Sequence, residues 1–134
     1  RCIIVLIMNY AVLLLLLFFN VTFGFSAWEK ISDWKGNKAF LKSYFKETWV
    51  PAFIPIIMGV LLVVELLATV IGVLAMFEII QDEIYSNLSL YAGLLYCLAL
   101  LILLVGQRIA KDYDGARNIV IYFIPAVFLV FLVQ

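Results

Sequence analysis

The run at residues 51–80, PAFIPIIMGVLLVVELLATVIGVLAMFEII, constrains the chain more than any other stretch. It carries one charge in its middle, Glu65. About 20 residues of α-helix cross the ~30 Å hydrocarbon layer of a bilayer, so a run this long and apolar reads as a spanning helix. A carboxylate near the centre of such a helix costs roughly 2.5–3.5 kcal/mol on insertion. Glu65 is therefore expected to face protein or water rather than lipid.

The rest of the composition agrees. Of 134 residues, 67% are hydrophobic and 13% charged, more apolar surface than a soluble domain of this size can cover. The lipid bilayer is the expected solvent and first partner. A formal net charge of zero gives no case for binding nucleic acid. The chain has no histidine, which removes the commonest haem, zinc and copper ligand and the base of a Ser-His-Asp site. Cys2 and Cys97 form no Cys-x-x-Cys pair, and by span depth they are too far apart to bridge. No metal site and no cofactor is evident from these residues, and whether the chain is an enzyme is left open.

Four spans are expected, at about residues 3–25, 51–80, 88–106 and 118–133, giving an all-α integral membrane protein, a single four-helix bundle. No small-residue cleavage site follows the first stretch cleanly, so it is expected to be a retained helix rather than a signal peptide. In it, Asn9, Asn20 and Gly24 share a face that should look into the bundle, while the Leu-rich stretch 13–19 suits lipid. In the second span, Glu65, Ala68, Thr69 and Gly72 share a face of small and polar side chains that lets helices approach closely. Ser89, Ala92, Gly93, Tyr96 and Ala99 form the equivalent stripe on the third. Asn118, Tyr122 and Pro125 share a face of the fourth, with Pro125 expected to kink it.

Between the first two spans, residues 26–50 hold five lysines and three tryptophans. Gly36-Asn37 is expected to break this segment, with Asn37 capping a short amphipathic helix over about residues 37–49. Phe40, Leu41, Tyr44, Phe45 and Trp49 fall on one face, and Lys38, Lys42 and Lys46 on the other. That pattern fits a helix lying in the membrane interface, and equally a solvated connector. Residues 81–87 form a short acidic loop holding Asp82 and Glu83, beside Glu78. Asn87-Leu88-Ser89 matches a glycosylation sequon at a helix mouth. Asp112-Tyr113-Asp114-Gly115 reads as a turn rather than a calcium loop. All the basic residues except Arg1 lie in segments 26–50 and 107–117, which the positive-inside rule makes cytoplasmic, with both termini outside.

By depth along the spans, Glu65 lies near the midplane, where Tyr96 and Asn9 approach its level and no basic residue reaches. Glu65, Thr69, Tyr96 and Asn9 make the candidate intramembrane site. Lys38, Lys42, Lys46 and Trp49 make the candidate interface segment. Without a cationic neighbour, Glu65 should be uncharged. Two readings stay open: a proton-handling or ligand-binding acid, or an interhelical hydrogen bond that fixes packing. Asn20, Gln107 and Tyr122 should form a second polar layer nearer the cytoplasm.

Three stretches resemble the DoxX-like family of small bacterial membrane proteins. They are Gly24-Phe25-Ser26-Ala27-Trp28-Glu29-Lys30 closing the first span, Glu65-Leu66-Leu67 followed by Gly72, and Gly106-Gln107-Arg108-Ile109-Ala110-Lys111-Asp112-Tyr113-Asp114-Gly115-Ala116. The resemblance covers nearly the whole chain apart from the lysine-rich first loop. It implies a four-helix protein of the bacterial inner membrane, in a family whose namesake subunit is linked to an oxidation with quinone as acceptor and whose relatives are associated with redox or oxidative-stress complexes. Since the chain lacks histidine and paired cysteines, any electron transfer would need a bound quinone or other membrane or peripheral subunits. The expectation is a non-catalytic anchoring or stabilising subunit of a larger complex. The alternative is a small quinone-binding oxidoreductase subunit or transporter built on Glu65.

Overall fold

In the computed structural model, which describes residues 3–81 and 87–134, apolar runs become helices wherever they persist past about five turns. The order is α1 (Ile3–Ser32), α2 (Trp34–Tyr44), a 3-10 turn at Val50–Phe53, α3 (Ile54–Ile80), α4 (Leu88–Ile109) and α5 (Tyr113–Val133). Four segments are long and apolar enough to cross a bilayer: Asn9–Ser32, Val50–Ile80, Leu88–Ile109 and Tyr113–Val133, with mean hydropathy between 2.0 and 2.7. The protein is an all-α, multi-pass membrane bundle. Cys2, Asp82 and Glu83 lie outside the described residues.

Spacing decides which face goes inward. The buried residues of α3 are Ile54, Met58, Leu61, Glu65, Ala68, Gly72 and Ala75. They alternate steps of four and three, the repeat that holds one stripe toward neighbouring helices. On α1 the stripe is Val12, Leu16, Phe19, Asn20, Phe23 and Ala27; on α4 it is Ala92, Gly93, Tyr96, Ala99 and Leu100. Leu16 and Phe19, expected toward lipid, are in the core, whereas Leu14, Leu17 and Phe18 are exposed. α3 packs against both α1 and α4, α4 against α5, and α5 closes lightly onto α1. Outward-facing Ile, Leu, Val and Phe along every long helix are what lipid requires.

Helix ends follow local chemistry. Pro51 opens the 3-10 turn and Pro55 opens α3, where a missing N–H goes unmissed. Between α1 and α2 the boundary differs from expectation. α1 runs seven residues past Phe25, because Ser26 to Ser32 contains no helix breaker. Asp33 caps α2 by accepting from the Gly36 N–H at 3.1 Å, so Gly36-Asn37 lies within the helix rather than before it. Asn37 instead donates to the Glu29 and Asp33 carbonyls at 3.0 and 2.8 Å, tying α2 to the last turn of α1. α2 ends at Tyr44, so Lys46 and Trp49 stand beyond it.

Gly72 is the point of closest approach. A Cβ there would lie 2.2 Å from both Asn20 Oδ1 and Tyr96 Oη. At Gly59, on the same helix, a Cβ would meet nothing within 4 Å. Gly72→Ala should therefore cost about 1–3 kcal/mol, the usual penalty for overpacking, while Gly59→Ala is neutral or stabilising. Thermal unfolding of the two variants in detergent micelles checks the contrast; equal midpoints would refute it.

Candidate functional site

Among the described residues, three polar centres join separate helices. The first joins α1 to α3. Lys30 Nζ donates to Glu65 Oε1 at 3.0 Å and to Ser26 Oγ at 2.8 Å. The Glu65 side chain is wholly buried and that of Lys30 is 12% exposed. The expectation of an uncharged Glu65 rested on there being no cation within reach, and Lys30 removes that ground. The extra turns of α1 carry Lys30 to a level that a helix ending at Phe25 would not reach. Glu65 Oε2 is buried without a hydrogen-bond partner among the described residues. Thr69, one turn on, spends its hydroxyl on the Glu65 carbonyl at 2.8 Å and not on the carboxylate.

The second centre joins α1 to α4 across Gly72. Tyr96 Oη donates to Asn20 Oδ1, and Asn20 Nδ2 donates to Met76 Sδ at 3.2 Å. The Tyr96 ring stacks on Phe19 and Phe23 with centroids 4.9 and 5.5 Å apart. Tyr96 thus belongs with Asn20, about 10 Å along α3 from Glu65. Asn9 lies 21 residues before Lys30, about 32 Å along α1, and so does not meet Glu65 either. The four expected site residues are therefore not brought together: Glu65 and Thr69 share one level, Tyr96 a second and Asn9 a third. The expected second layer also separates. Tyr122 stacks on Phe18 at 5.9 Å near the surface, and Gln107 lies eleven residues beyond Tyr96 on α4.

The third centre was not apparent from the sequence. α4 ends in a Schellman turn: the Lys111 N–H reaches the Arg108 carbonyl at 3.2 Å and the Asp112 N–H reaches that of Gln107 at 2.9 Å. Lys111 takes the left-handed position, φ 60°, usually held by glycine. The turn delivers Asp112 to cap α5, where Oδ1 accepts from the Gly115 N–H at 3.0 Å. Oδ2 accepts from Tyr44 Oη at 2.5 Å, latching α2 onto the α4–α5 turn. Below this latch Phe45, Val50, Ile54 and Met58 are buried, with Trp34, Leu41, Tyr44, Ile57 and Ile109 packed around them. Of the expected apolar face of α2, Leu41 and Tyr44 point into this cluster, while Phe40 is exposed, as is Trp49 beyond the helix. Lys42 and Lys46 are exposed and Lys38 half-buried.

Beneath α2 lies a cavity of about 340 Å³, walled by Leu41, Tyr44, Met58, Leu61, Leu103 and Gln107 among others. A second cleft of about 380 Å³ lies on the other side of Phe45 and is lined almost wholly by apolar groups. Among the described residues, no group of three or more His, Cys, Asp or Glu is placed to hold a metal ion.

The fold and its polar centres define a class: a multi-pass helical bundle cross-linked by buried polar pairs, with a cavity roofed by a short amphipathic helix. No family model, curated protein or solved structure matches the chain.

The Tyr44–Asp112 latch has a pH signature. Burial and the Asp112 carboxylate push the Tyr44 phenol up to about 12, and the Tyr44 and Gly115 donors hold Asp112 below the usual carboxylate range. A raised phenol contributes stability below its unfolded value of ~10, lost as pH rises toward 12; a lowered carboxyl contributes stability above ~4, lost on acidification. Wild type should thus lose stability at both extremes relative to Tyr44→Phe. Difference ultraviolet titration against Tyr44→Phe should show no Tyr44 phenolate at pH 10.5 (about half a unit above the ordinary ~10). A normal phenolate titration would refute the latch.

Proposed function

We propose that this chain is a DoxX-like protein of the bacterial inner membrane that acts as a non-catalytic anchoring or stabilising subunit of a larger complex. The observation that carries this reading is the buried Lys30–Glu65 pair. An acid at the heart of the bundle is spent on a cation from the neighbouring helix and is sealed from solvent. Breaking such a pair is costly, so it holds two helices in one register rather than presenting an acid to a substrate. Asn20–Tyr96 and Tyr44–Asp112 likewise join separate helices. Resemblance to the DoxX-like family supplies the setting, including the link to quinone-dependent redox complexes.

The Tyr44–Asp112 bond also supports the proposed orientation. It joins segment 26–50 to segment 107–117 at one end of the bundle, the end that carries nearly all the basic residues. That end is cytoplasmic in this reading, with both termini outside. A second reading, a small quinone-binding subunit or transporter using Glu65, draws support from Glu65 Oε2, which no described group satisfies.

Extraction from native membranes in mild detergent tests the anchoring role. A stoichiometric partner should co-migrate with the chain, whereas a lone monomer would refute it. Lys30→Met alone should cost about 3–5 kcal/mol by stranding the Glu65 charge, and the doubly neutral Lys30→Met/Glu65→Gln should recover most of that. Thermal unfolding of both variants measures the coupling. If the double variant keeps its partner but loses proton- or quinone-linked turnover, the second reading replaces the first.

A further inference from the structure

We propose that the cavity beneath α2 is a binding site for one phospholipid whose head group carries a primary ammonium. This inference does not depend on the anchoring reading.

The cavity has a polar end and an apolar floor. At the polar end stand Tyr44, Asp112 and Gln107; the floor runs inward over Met58, Leu61, Ile102 and Leu103. Its volume, about 340 Å³, lies within the range of known ligand pockets, ~300–1,000 Å³, and suits part of an acyl chain. The direction is that of a lipid in a leaflet. The polar end sits at the loop end of α4, and the floor lies one to two turns deeper along α3 and α4.

The polar end is anionic, and its free donors are the two N–H groups of the Gln107 amide. The Tyr44 hydroxyl proton is committed to Asp112. Gln107 Oε1 is buried and has no hydrogen-bond partner among the described residues, while its Nε2 is turned toward Gly115, 2.7 Å from where a Cβ would stand. The Asp112 carboxylate accepts two bonds and has lone-pair sites to spare. A buried acceptor left unmet is costly, so the site favours an occupant that brings N–H or O–H groups. The anionic carboxylate, with no basic side chain among the lining residues, selects a cation over a neutral hydroxyl. A primary ammonium supplies three N–H donors and one positive charge.

Phosphatidylethanolamine and phosphatidylcholine with identical acyl chains isolate the claim, because they differ only in whether the head-group nitrogen bears N–H. The full chain, reconstituted into nanodiscs with equal amounts of both, is released into native mass spectrometry. One phosphatidylethanolamine should be retained per chain, in about tenfold preference over phosphatidylcholine, the factor expected for a charge-assisted bond. Gln107→Leu and Asp112→Asn should each bring the ratio toward one; the second keeps a side-chain oxygen to cap α5, so its fold is preserved. Equal retention of the two lipids by wild type would overturn the proposal, as would retention of neither. Preference for a hydroxyl-headed amphiphile added in competition, such as diacylglycerol or a quinol, would overturn it as well.

Discussion

Register between α1 and α3 rests on one charge pair. Glu65 is wholly buried and Lys30 nearly so, and each is expensive without the other. Once Lys30 stands beside Glu65, the contacts above it follow in antiparallel order: Gly24 faces Thr69, and Asn20 faces Gly72 and Met76. Each step back along α1 is matched by a similar step forward along α3. A one-turn slip would strand both charges and drive Asn20 out of the gap that Gly72 leaves.

The pair contributes more to specificity than to raw stability. An apolar pair of like volume could hold the helices as firmly, since the desolvation of two ions offsets most of their attraction. Apolar stripes in lipid are nearly interchangeable, however, because hydrocarbon is as good a neighbour as leucine. The α1 stripe of Val12, Leu16, Phe19 and Phe23 would pack against α3 in several registers. Lys30, Asn20 and the absent side chain of Gly72 select one. The aromatic stack of Phe19, Tyr96 and Phe23 then fills the space around that choice.

Hydropathy and the four-three spacing of small residues were enough to read four spans and the inward turn of Glu65, Ala68 and Gly72 from sequence. Those signals are local. What escaped was the end of α1. Trp28, Glu29 and Lys30 resemble an interfacial loop by composition, yet nothing among them stops a helix, and the stop comes only at Asp33. The spacing of Ser26 and Lys30 by one turn, together with Asp33 three residues before Gly36, was the available clue. The Tyr44–Asp112 bond spans 68 positions and depends on a Schellman turn closed by a lysine where glycine is usual, so no short-range pattern announces it. Placing Asn9 and Tyr96 with Glu65 failed for a different reason. Depths counted from opposite ends meet only if the spans match the hydrocarbon layer, and α3, with 27 residues, is about 40 Å long.

The two bonds from Asn37 to the Glu29 and Asp33 carbonyls give the elbow between α1 and α2 little freedom to bend. Gly36 is spent inside α2 and offers no hinge. Any force that lifts α2 from the bundle, whether a thinner bilayer or a tethered neighbour, therefore acts on a stiff lever. Its short arm ends in the last turn of α1, where Lys30 sits. Peeling the roof from the cavity and pulling the cation away from Glu65 are, mechanically, one movement.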